Sequence, residues 1–234
     1  MAEDVDRQVD DLIAKGMSGD RDKMASRLAV VSAYRLAEYW EPFVGADGRF
    51  AEGTAFDRVW ARYAFDRRLR LLLFDAIERI EICLKSQLMV RLGKCEEISK
   101  MTFGAMRRCF EAASAKEVKS PIAAVFGVHH VVLSSWLESL LLLRNVVAHH
   151  GRVWNRQIGA QPKIPKKDAT WHTPVEVSGD RVFVLLTICR HCLWRIAPQS
   201  TWRNRLKSLL ADYPEVPLAA MGFPVDWQSL ALWR

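Results

Sequence analysis

The sequence predicts an all-α protein, and two observations carry that prediction. Apolar residues recur at spacings of three and four along most of the 234 residues, and alternating apolar and polar runs are rare. With 50% of its residues apolar and 26% charged, the chain has the composition of a folded protein. It contains no internal repeat and no linker, so we expect a single domain over residues 1–234.

The N-terminal part predicts two helices and a loop. A helical pair spans residues 4–39 and is joined by a turn in which Ser18 or Asp20 can cap the second helix. Residues 41–53 hold one proline and three glycines, a composition typical of a loop. The helical pattern therefore starts again only after this loop.

A long helix is predicted over residues 54–92, opened by Thr54 and closed by Gly93. Its apolar stripe consists of Leu73, Ile77, Ile80, Leu84 and Leu88. Glu81 lies on that stripe, where its carboxylate needs a partner because an unpaired charge is costly to bury. Two interpretations stay open: the partner belongs to the core or to another helix, or it is Lys85, four residues later on the same helix.

The second half of the chain predicts further helices around a basic loop, which follows Gly151 and extends for about thirty residues. Helices are expected over residues 103–115, 136–149, 181–196 and 201–210, with a turn after the first at 120–121. The helix over 136–149 is apolar on nearly every side, follows a capping box of Ser135 and Glu138, and is closed by Gly151, so we expect it at the centre of the domain. Within the basic loop, residues 175–184 predict one short hairpin around Gly179.

The charge of the chain is distributed unevenly. Residues 1–117 hold 20 basic and 20 acidic side chains, whereas residues 118–234 hold 14 basic and seven acidic ones and so account for the whole net charge of +7. Between residues 139 and 167 there are six basic side chains and no acidic one. This one-signed stretch favours a polyanionic partner such as nucleic acid, and the alternative is an ordinary solvated loop.

Several classes of protein do not fit the sequence. The acidic N-terminus lacks the apolar core of a secretory signal, and charged residues interrupt every long apolar stretch, so we expect no membrane association. The five cysteines are odd in number, which favours reduced thiols and a cytoplasmic protein. Cys189 and Cys192 have the spacing of zinc ligands but lack a second pair, so buried thiols are the favoured interpretation, and we expect no metal and no cofactor.

His129 and His130 are expected at a helix edge or in a loop. Glycine-rich phosphate loops and nucleophile elbows do not occur.

The end of the central helix carries the most informative motif. Arg144, Asn145 and His149 form the pattern RNxxxH, which a chain of this composition contains by chance about 0.008 times. Asn145 and His149 are four residues apart and share a helix face, where the amide can hold the imidazole in one tautomer. Arg144 lies about 140° round the helix from His149, so the two meet only if the last turn loosens or if a second copy supplies one of them.

These three residue types suit the cleavage of RNA without a metal. A guanidinium can fork onto a phosphate and an imidazole can move a proton near neutral pH, while the ribose 2′-hydroxyl attacks its own phosphate. The alternative is structural: Arg144 bonds a core carboxylate such as Glu81, and His149 interacts with the negative end of the helix dipole. Residue chemistry alone leaves both interpretations open.

Residues 144–156, RNVVAHHGRVWNR, resemble the signature of the Abi-like proteins of bacterial abortive infection, the AbiD/AbiF group of the HEPN superfamily. Further segments resemble the family along the chain: residues 31–36, 50–56, 63–70, 77–81 and 221–224. The resemblance implies a HEPN-like helical bundle with additional N- and C-terminal helices, divided into residues 1–53, a core over 54–160, and a basic loop with C-terminal helices over 161–234. It also implies a homodimer with a ribonuclease site between its two copies.

Carried onto this sequence, the resemblance assigns catalysis to Arg144, Asn145 and His149, with Glu81 as our candidate to position Arg144. Contact with RNA is expected from the extended motif and the basic stretch: His150, Arg152, Trp154, Asn155, Arg156, Lys163, Lys166 and Lys167. Trp171 is a further candidate for stacking on a base. The leading hypothesis is an endoribonuclease toxin of phage defence that leaves 2′,3′-cyclic phosphate ends. The alternatives are a non-catalytic protein that holds a cognate small noncoding RNA and a helical interaction protein in which Arg144 has a structural role.

Overall fold

The computed structural model confirms the all-α fold class. It describes residues 2–234, with side chains from Asp4 onward, and within that range the chain forms ten α-helices and no strand. Pairing between extended segments is limited there to three isolated β-bridges, Ser18 with Ala55, Val44 with Phe50 and Gln157 with Arg181. The chain divides into two compact units, one with residues up to 67 together with 213–216, the other with residues 68–212 and 217–234.

The first unit begins with three helices where the sequence predicts two. They are α1 (Ala2–Ala14), α2 (Arg21–Val30) and α3 (Ala33–Trp40). Asp20 caps α2 as predicted, because its carboxylate accepts the Lys23 N–H at 2.8 Å. The predicted continuous second helix is wrong because Val31 takes an extended conformation and Ser32 caps α3. The loop after α3 is confirmed.

Buried polar side chains hold α3 against the start of the next helix within the first unit. The Tyr39 hydroxyl donates to the Asp66 carboxylate at 2.7 Å, and neither residue is exposed to solvent. Arg62 donates to the Tyr39 carbonyl at 3.4 Å, and its guanidinium lies 3.9 Å from the centre of the Phe43 ring. Burial, and secondly the charge of Arg58, lowers the pKa of Arg62 to about 10. These polar groups satisfy one another inside the unit.

Helix α4 (Phe56–Leu92) matches the long predicted helix to within two residues at its start. The five residues of the predicted stripe, from Leu73 to Leu88, are all buried, which confirms the apolar face. Gly93 has a φ of +66°, and its N–H donates to the Met89 carbonyl at 2.9 Å, so it ends the helix as predicted. Thr54 does not cap the helix, since its hydroxyl donates to the Ala51 carbonyl at 2.6 Å.

The second unit continues with six helices. They are α5 (Cys95–Ser99), α6 (Phe103–Ala112), α7 (Ser120–Val125), α8 (His130–Ala148), α9 (Val182–Ile196) and α10 (Trp202–Asp212). Helices α6, α9 and α10 are confirmed with small shifts at their ends. The turn predicted at 120–121 is wrong: a π-helical turn over Ala115–Lys119 leads directly into α7, whose first turn accommodates Pro121.

Helix α8 begins six residues earlier than predicted. Its N-cap is His129, whose Nδ1 accepts the Val131 N–H at 3.3 Å, and Ser135 lies inside the helix instead of capping it. The helix packs against α6, α7 and α9, and its buried positions include Trp136 and Leu140, which confirms its place in the core. By length and composition alone, α8 is the one described helix that would suffice to cross a bilayer, a test that core helices of soluble proteins also pass.

The hairpin predicted over 175–184 does not form. A 3-10 turn at Ala169–Trp171 precedes this segment, which pairs with the chain at 157–158 through the Gln157–Arg181 bridge and an Ile158 N–H bond to the Asp180 carbonyl at 2.6 Å. Val182 already starts α9, so the residues after Gly179 do not form the second strand of a hairpin.

Candidate functional site

The C-terminal end of α8 is shaped by a tight helix stop. His149 is the C-cap, the His150 N–H donates to the Val147 carbonyl at 3.0 Å, and the Gly151 N–H donates to the Val146 carbonyl at 2.8 Å. This pair of bonds is a Schellman motif in which His150, with a φ of +58°, occupies the left-handed position. The predicted stop is confirmed, although the left-handed residue is a histidine rather than Gly151.

Two residues of the segment after α8 have a strained backbone. His150 and Asn155, with φ values of +58° and +52°, are the only non-glycine residues with positive φ in residues 2–234. Glycine at position 151 avoids crowding, because a Cβ atom there would lie 3.0 Å from Cγ1 of Val146 and 3.1 Å from its carbonyl oxygen. The chain therefore turns sharply at this point and runs back along α8.

The side chains of the RNxxxH motif are accessible to solvent, fully or in part. Arg144 is half-buried, and Asn145 and His149 are exposed. In the part of the chain that the structure describes, none of the three side chains forms a hydrogen bond or an ion pair. The expected bond between Asn145 and His149 is therefore not present in the single chain.

The helix stop does not bring Arg144 and His149 together. The backbone is helical through Ala148, and the departure begins at the ψ of His149, which is +16°. This change redirects His150 and later residues but leaves the Cα of His149 on the helix. Arg144 and His149 accordingly remain about 140° apart around α8.

Glu81 is half-buried on α4 and forms neither of the contacts that were considered for it. Its carboxylate pairs with neither Arg144 nor Lys85 within the described chain. Lys85 instead donates its Nζ to the Ser99 carbonyl at 3.1 Å. The structural alternative for Arg144, an ion pair with this carboxylate, is not formed in the single chain, and neither is the positioning contact that we expected from Glu81.

Polar side chains of α8 hold the basic loop in place. Ser139 donates to the Ala160 carbonyl at 3.1 Å, and Ser135 accepts the Lys163 N–H at 2.9 Å. Trp136 donates its indole N–H to the Lys163 carbonyl at 2.8 Å. The Ser135 hydroxyl therefore supports the loop, whereas His129 caps the start of the helix. The loop therefore has a defined path beside α8.

The loop presents some of the predicted RNA contacts and hides others. His150, Arg156, Lys163, Lys166 and Lys167 are exposed, and Arg152 is half-buried. Trp154 and Trp171 are buried, with relative exposures of 1% and 0%, so the expected stacking of either ring on a base is wrong for the single chain.

Asn155 is half-buried, and its side-chain carbonyl oxygen is bonded within the chain, so contact of this residue with RNA stays a prediction. That oxygen accepts a hydrogen bond from Arg181 at 2.8 Å, and the same Arg181 nitrogen donates to the Ala220 carbonyl at 3.0 Å. Arg181 thus ties the turn after the motif to the C-terminal segment. Residue spacing gave no signal for this role, because 26 residues separate the two partners.

A cleft lies between the end of α8 and the basic loop. Its volume is about 280 Å³, and Asn145 and Val146 form part of the α8 wall while Arg156, Gln157 and Gly159 belong to the opposite wall. The cleft therefore brings one predicted catalytic residue and one predicted RNA-binding residue to the same concave surface. Gln157 and Gly159 were missed by sequence analysis, since neither belongs to a recognisable motif.

The cysteines of the CxxC pair belong to the core. Cys189 and Cys192 are fully buried on α9, and burial raises the pKa of Cys189 to about 12. His191 between them is also buried, and its Nε2 bonds the Phe126 carbonyl at 2.8 Å. Desolvation lowers the pKa of His191. Among the described residues, no group of three metal-ligating side chains comes together.

Comparison with known proteins assigns a family to the part of the chain that carries the motif. The family model of the Abi-like protein matches residues 26–100 and 97–155, which together cover more than half of the chain. The matched region begins within α2 and includes the whole RNxxxH motif. No curated protein and no solved structure gives a significant match.

Proposed function

Because the chain belongs to the Abi-like protein family, we propose that it is a metal-independent endoribonuclease of the HEPN type that acts as an RNA-targeting toxin in bacterial abortive infection. Membership of the family suggests a role in phage defence. The single observation that supports the nuclease is the end of α8, where Arg144, Asn145 and His149 are accessible and unbonded within the described chain. Its substrate would be cytoplasmic RNA.

The proposed chemistry needs only the groups of the motif and the RNA itself. The ribose 2′-oxygen forms a bond to the adjacent phosphorus, and the bond from phosphorus to the 5′-oxygen breaks, which leaves a 2′,3′-cyclic phosphate and a 5′-hydroxyl. The His149 imidazole takes the proton of the 2′-hydroxyl and then, as the imidazolium, gives a proton to the leaving 5′-oxygen. Arg144 stabilises the negative charge that the phosphate oxygens gain in the transition state.

We propose that two copies of the chain build the site together. A single α8 carries Arg144 and His149 on faces about 140° apart, so one phosphate cannot lie between both side chains of the same helix. A homodimer that joins the ends of two α8 helices supplies an arginine from one copy and a histidine from the other.

The test is cleavage of RNA by the purified protein in EDTA. The proposal predicts products with 2′,3′-cyclic phosphate ends, and His149→Ala should reduce cleavage at least 100-fold. His130→Ala is the matched control, because it removes a half-buried histidine at the opposite end of the same helix and should leave cleavage unchanged. Full activity of His149→Ala, or a requirement for a divalent cation, would overturn the proposal.

The exposed cations of the basic loop favour a second function, the retention of a cognate small noncoding RNA without cleavage. Arg156, Lys163, Lys166 and Lys167 are exposed, and within residues 2–234 their side chains have no carboxylate partner. This alternative predicts RNA of discrete length in the purified protein, affinity that falls steeply with salt, and intact RNA after long incubation. The absorbance ratio at 260 and 280 nm and a gel of extracted RNA distinguish the two functions.

A further inference from the structure

The cleft beside the RNxxxH motif has the features of a base-recognition site. We propose that it receives one unpaired guanine base of the RNA strand and so sets where the strand is cut. This inference rests on the proposed function, because it takes single-stranded RNA as the ligand. It goes further by naming the base and the residues that recognise it.

The size and floor of the cleft suit a flat aromatic ring. Sites for drug-sized ligands commonly measure about 300–1,000 Å³, so the 280 Å³ cleft fits a smaller group such as one nucleobase with its sugar. Its apolar lining comes from both walls: Leu142, Leu143, Val146, Val153 and Ile158. An unstacked base loses contact with its neighbours in the strand, and an apolar surface of this kind replaces that contact.

The polar groups of the cleft match the edges of guanine. Arg156 and Gln157 are exposed on the loop wall, and Asn145 is exposed on the α8 wall. A guanidinium can donate two parallel hydrogen bonds to O6 and N7 of guanine, and an amide carbonyl can accept from its N1–H and N2–H groups. The side chain of Arg156 has no hydrogen-bond or ion-pair partner elsewhere in the described chain, so its donors are available.

The loop wall of the cleft is held before any ligand arrives. The Ile158 N–H donates to the Asp180 carbonyl at 2.6 Å, and Gln157 pairs with Arg181 in an isolated bridge. Arg181 fixes Asn155 through its side-chain oxygen, and Ser139 of α8 holds the Ala160 carbonyl. These bonds flank the cleft residues on both sides, so binding a base does not require the loop to be ordered first.

The position of the cleft connects recognition with cleavage. Asn145 belongs to the motif and also lines the cleft, and Arg144 precedes it on the same helix. A base seated in the cleft therefore brings its own sugar and phosphate to the end of α8. The protein should consequently cut beside an unpaired guanine in preference to other bases.

The first experiment measures binding separately from cleavage. Full-length His149→Ala protein is titrated with fluorescent single-stranded oligonucleotides of uridine that carry one central guanosine, adenosine or cytidine, or none. We expect the guanosine oligonucleotide to bind about tenfold more tightly than all-uridine RNA. Arg156→Ala should reduce that ratio to less than twofold. Arg91→Ala, which removes an exposed arginine at the end of α4, should leave the ratio unchanged.

A second pair of variants tests the cleft without removing a charge. A Cβ atom on Gly159 would meet nothing within 4 Å, and the residue has no positive φ, so substitutions there do not strain the backbone. In the same His149→Ala background, Gly159→Phe should fill the cleft and abolish the preference for guanosine. Gly159→Ala leaves the cleft open and should preserve that preference.

The outcomes separate this inference from the proposed nuclease. Equal affinity for all oligonucleotides, or a guanosine preference that survives both Arg156→Ala and Gly159→Phe, would overturn the recognition cleft even if the wild-type protein cleaves RNA. A guanosine preference that both variants remove would support the cleft even if the wild-type protein cleaves nothing, and in that case only the nuclease fails. Cleavage products that end beside guanosine support both.

Discussion

Two groups of polar side chains in this protein consist of similar residue types but lie in opposite environments, one buried and the other accessible to solvent. In the first unit, Tyr39, Asp66 and Arg62 are buried and bonded to one another or to backbone. At the end of α8, Arg144 and His149 have accessible side chains without a partner in the described residues. The first group uses its hydrogen-bonding capacity to stabilise the fold, whereas the second leaves that capacity for a ligand.

The difference gives a physical criterion for the functional residues of this chain. A buried carboxylate without donors is costly, so the Tyr39–Asp66 bond contributes mainly to stability. The exposed His149 and the half-buried Arg144 form no polar contact within the described chain, so removing either side chain should leave the fold intact. Substitutions in the buried group should therefore lower stability, whereas substitutions at the end of α8 should lower RNA cleavage.

The largest effect is expected at the end of α8. Arg144→Ala should lower the rate of RNA cleavage about 100- to 1,000-fold, because the transition-state charge loses its main donor. The free energy of unfolding should change by less than about 0.5 kcal/mol, since the side chain makes no polar contact in the described chain. Single-turnover cleavage and thermal melting provide the two measurements. A large fall in melting temperature with undiminished cleavage would make Arg144 a structural residue.

The next effect is expected in the buried group. Tyr39→Phe removes the donor to the Asp66 carboxylate and should lower the free energy of unfolding by about 1–3 kcal/mol, while cleavage per folded molecule stays unchanged. Tyr34→Phe is the matched control, because this tyrosine is 91% exposed and should show no effect in urea unfolding. Equal stability of the two variants would contradict the role assigned to the buried bond.

A smaller effect is expected on the pH dependence of stability. It comes from His191, which is buried, whereas His149 is exposed. Desolvation lowers the pKa of His191 below its ordinary value of 6.5, so the unfolded chain binds more protons than the folded chain below about pH 6.5. Stability is fully present above that pH and should fall as the pH is lowered, by at most about 1.4 kcal/mol per pH unit from this residue. His191→Gln keeps a donor for the Phe126 carbonyl and should flatten the decline between pH 6.5 and 5. Parallel pH profiles for the two proteins would contradict this account.

The sequence was most informative where local patterns alone determine structure. The stripe from Leu73 to Leu88 is buried as predicted, because one helix face at regular spacing can point in only one direction. Gly93 and Asp20 end and begin helices as predicted, since capping depends on neighbouring residues alone. The RNxxxH residues were recognised for the same reason, since they fall within one turn and a half of helix.

Predictions failed where distant segments meet. Ser135 and Glu138 have the spacing of a capping box, yet the Ser135 hydroxyl bonds to Lys163, 28 residues later. Trp154 lies in a basic stretch that suggests exposure, yet packing buries its ring. Gln157 lines the cleft only because the loop folds back against α8, which neither composition nor periodicity reveals. Tertiary hydrogen bonds and packing decided each of these cases.

The most direct test of the central claim is a mixing experiment. Arg144→Ala and His149→Ala proteins are each assayed for RNA cleavage alone and again after dissociation and reassociation in equal amounts. If one copy supplies the arginine and the other the histidine, each mixed dimer contains one intact site, and the mixture should recover about a quarter of wild-type activity. Exchange of subunits confirmed by mass, with no recovery of cleavage, would contradict a site shared between two copies.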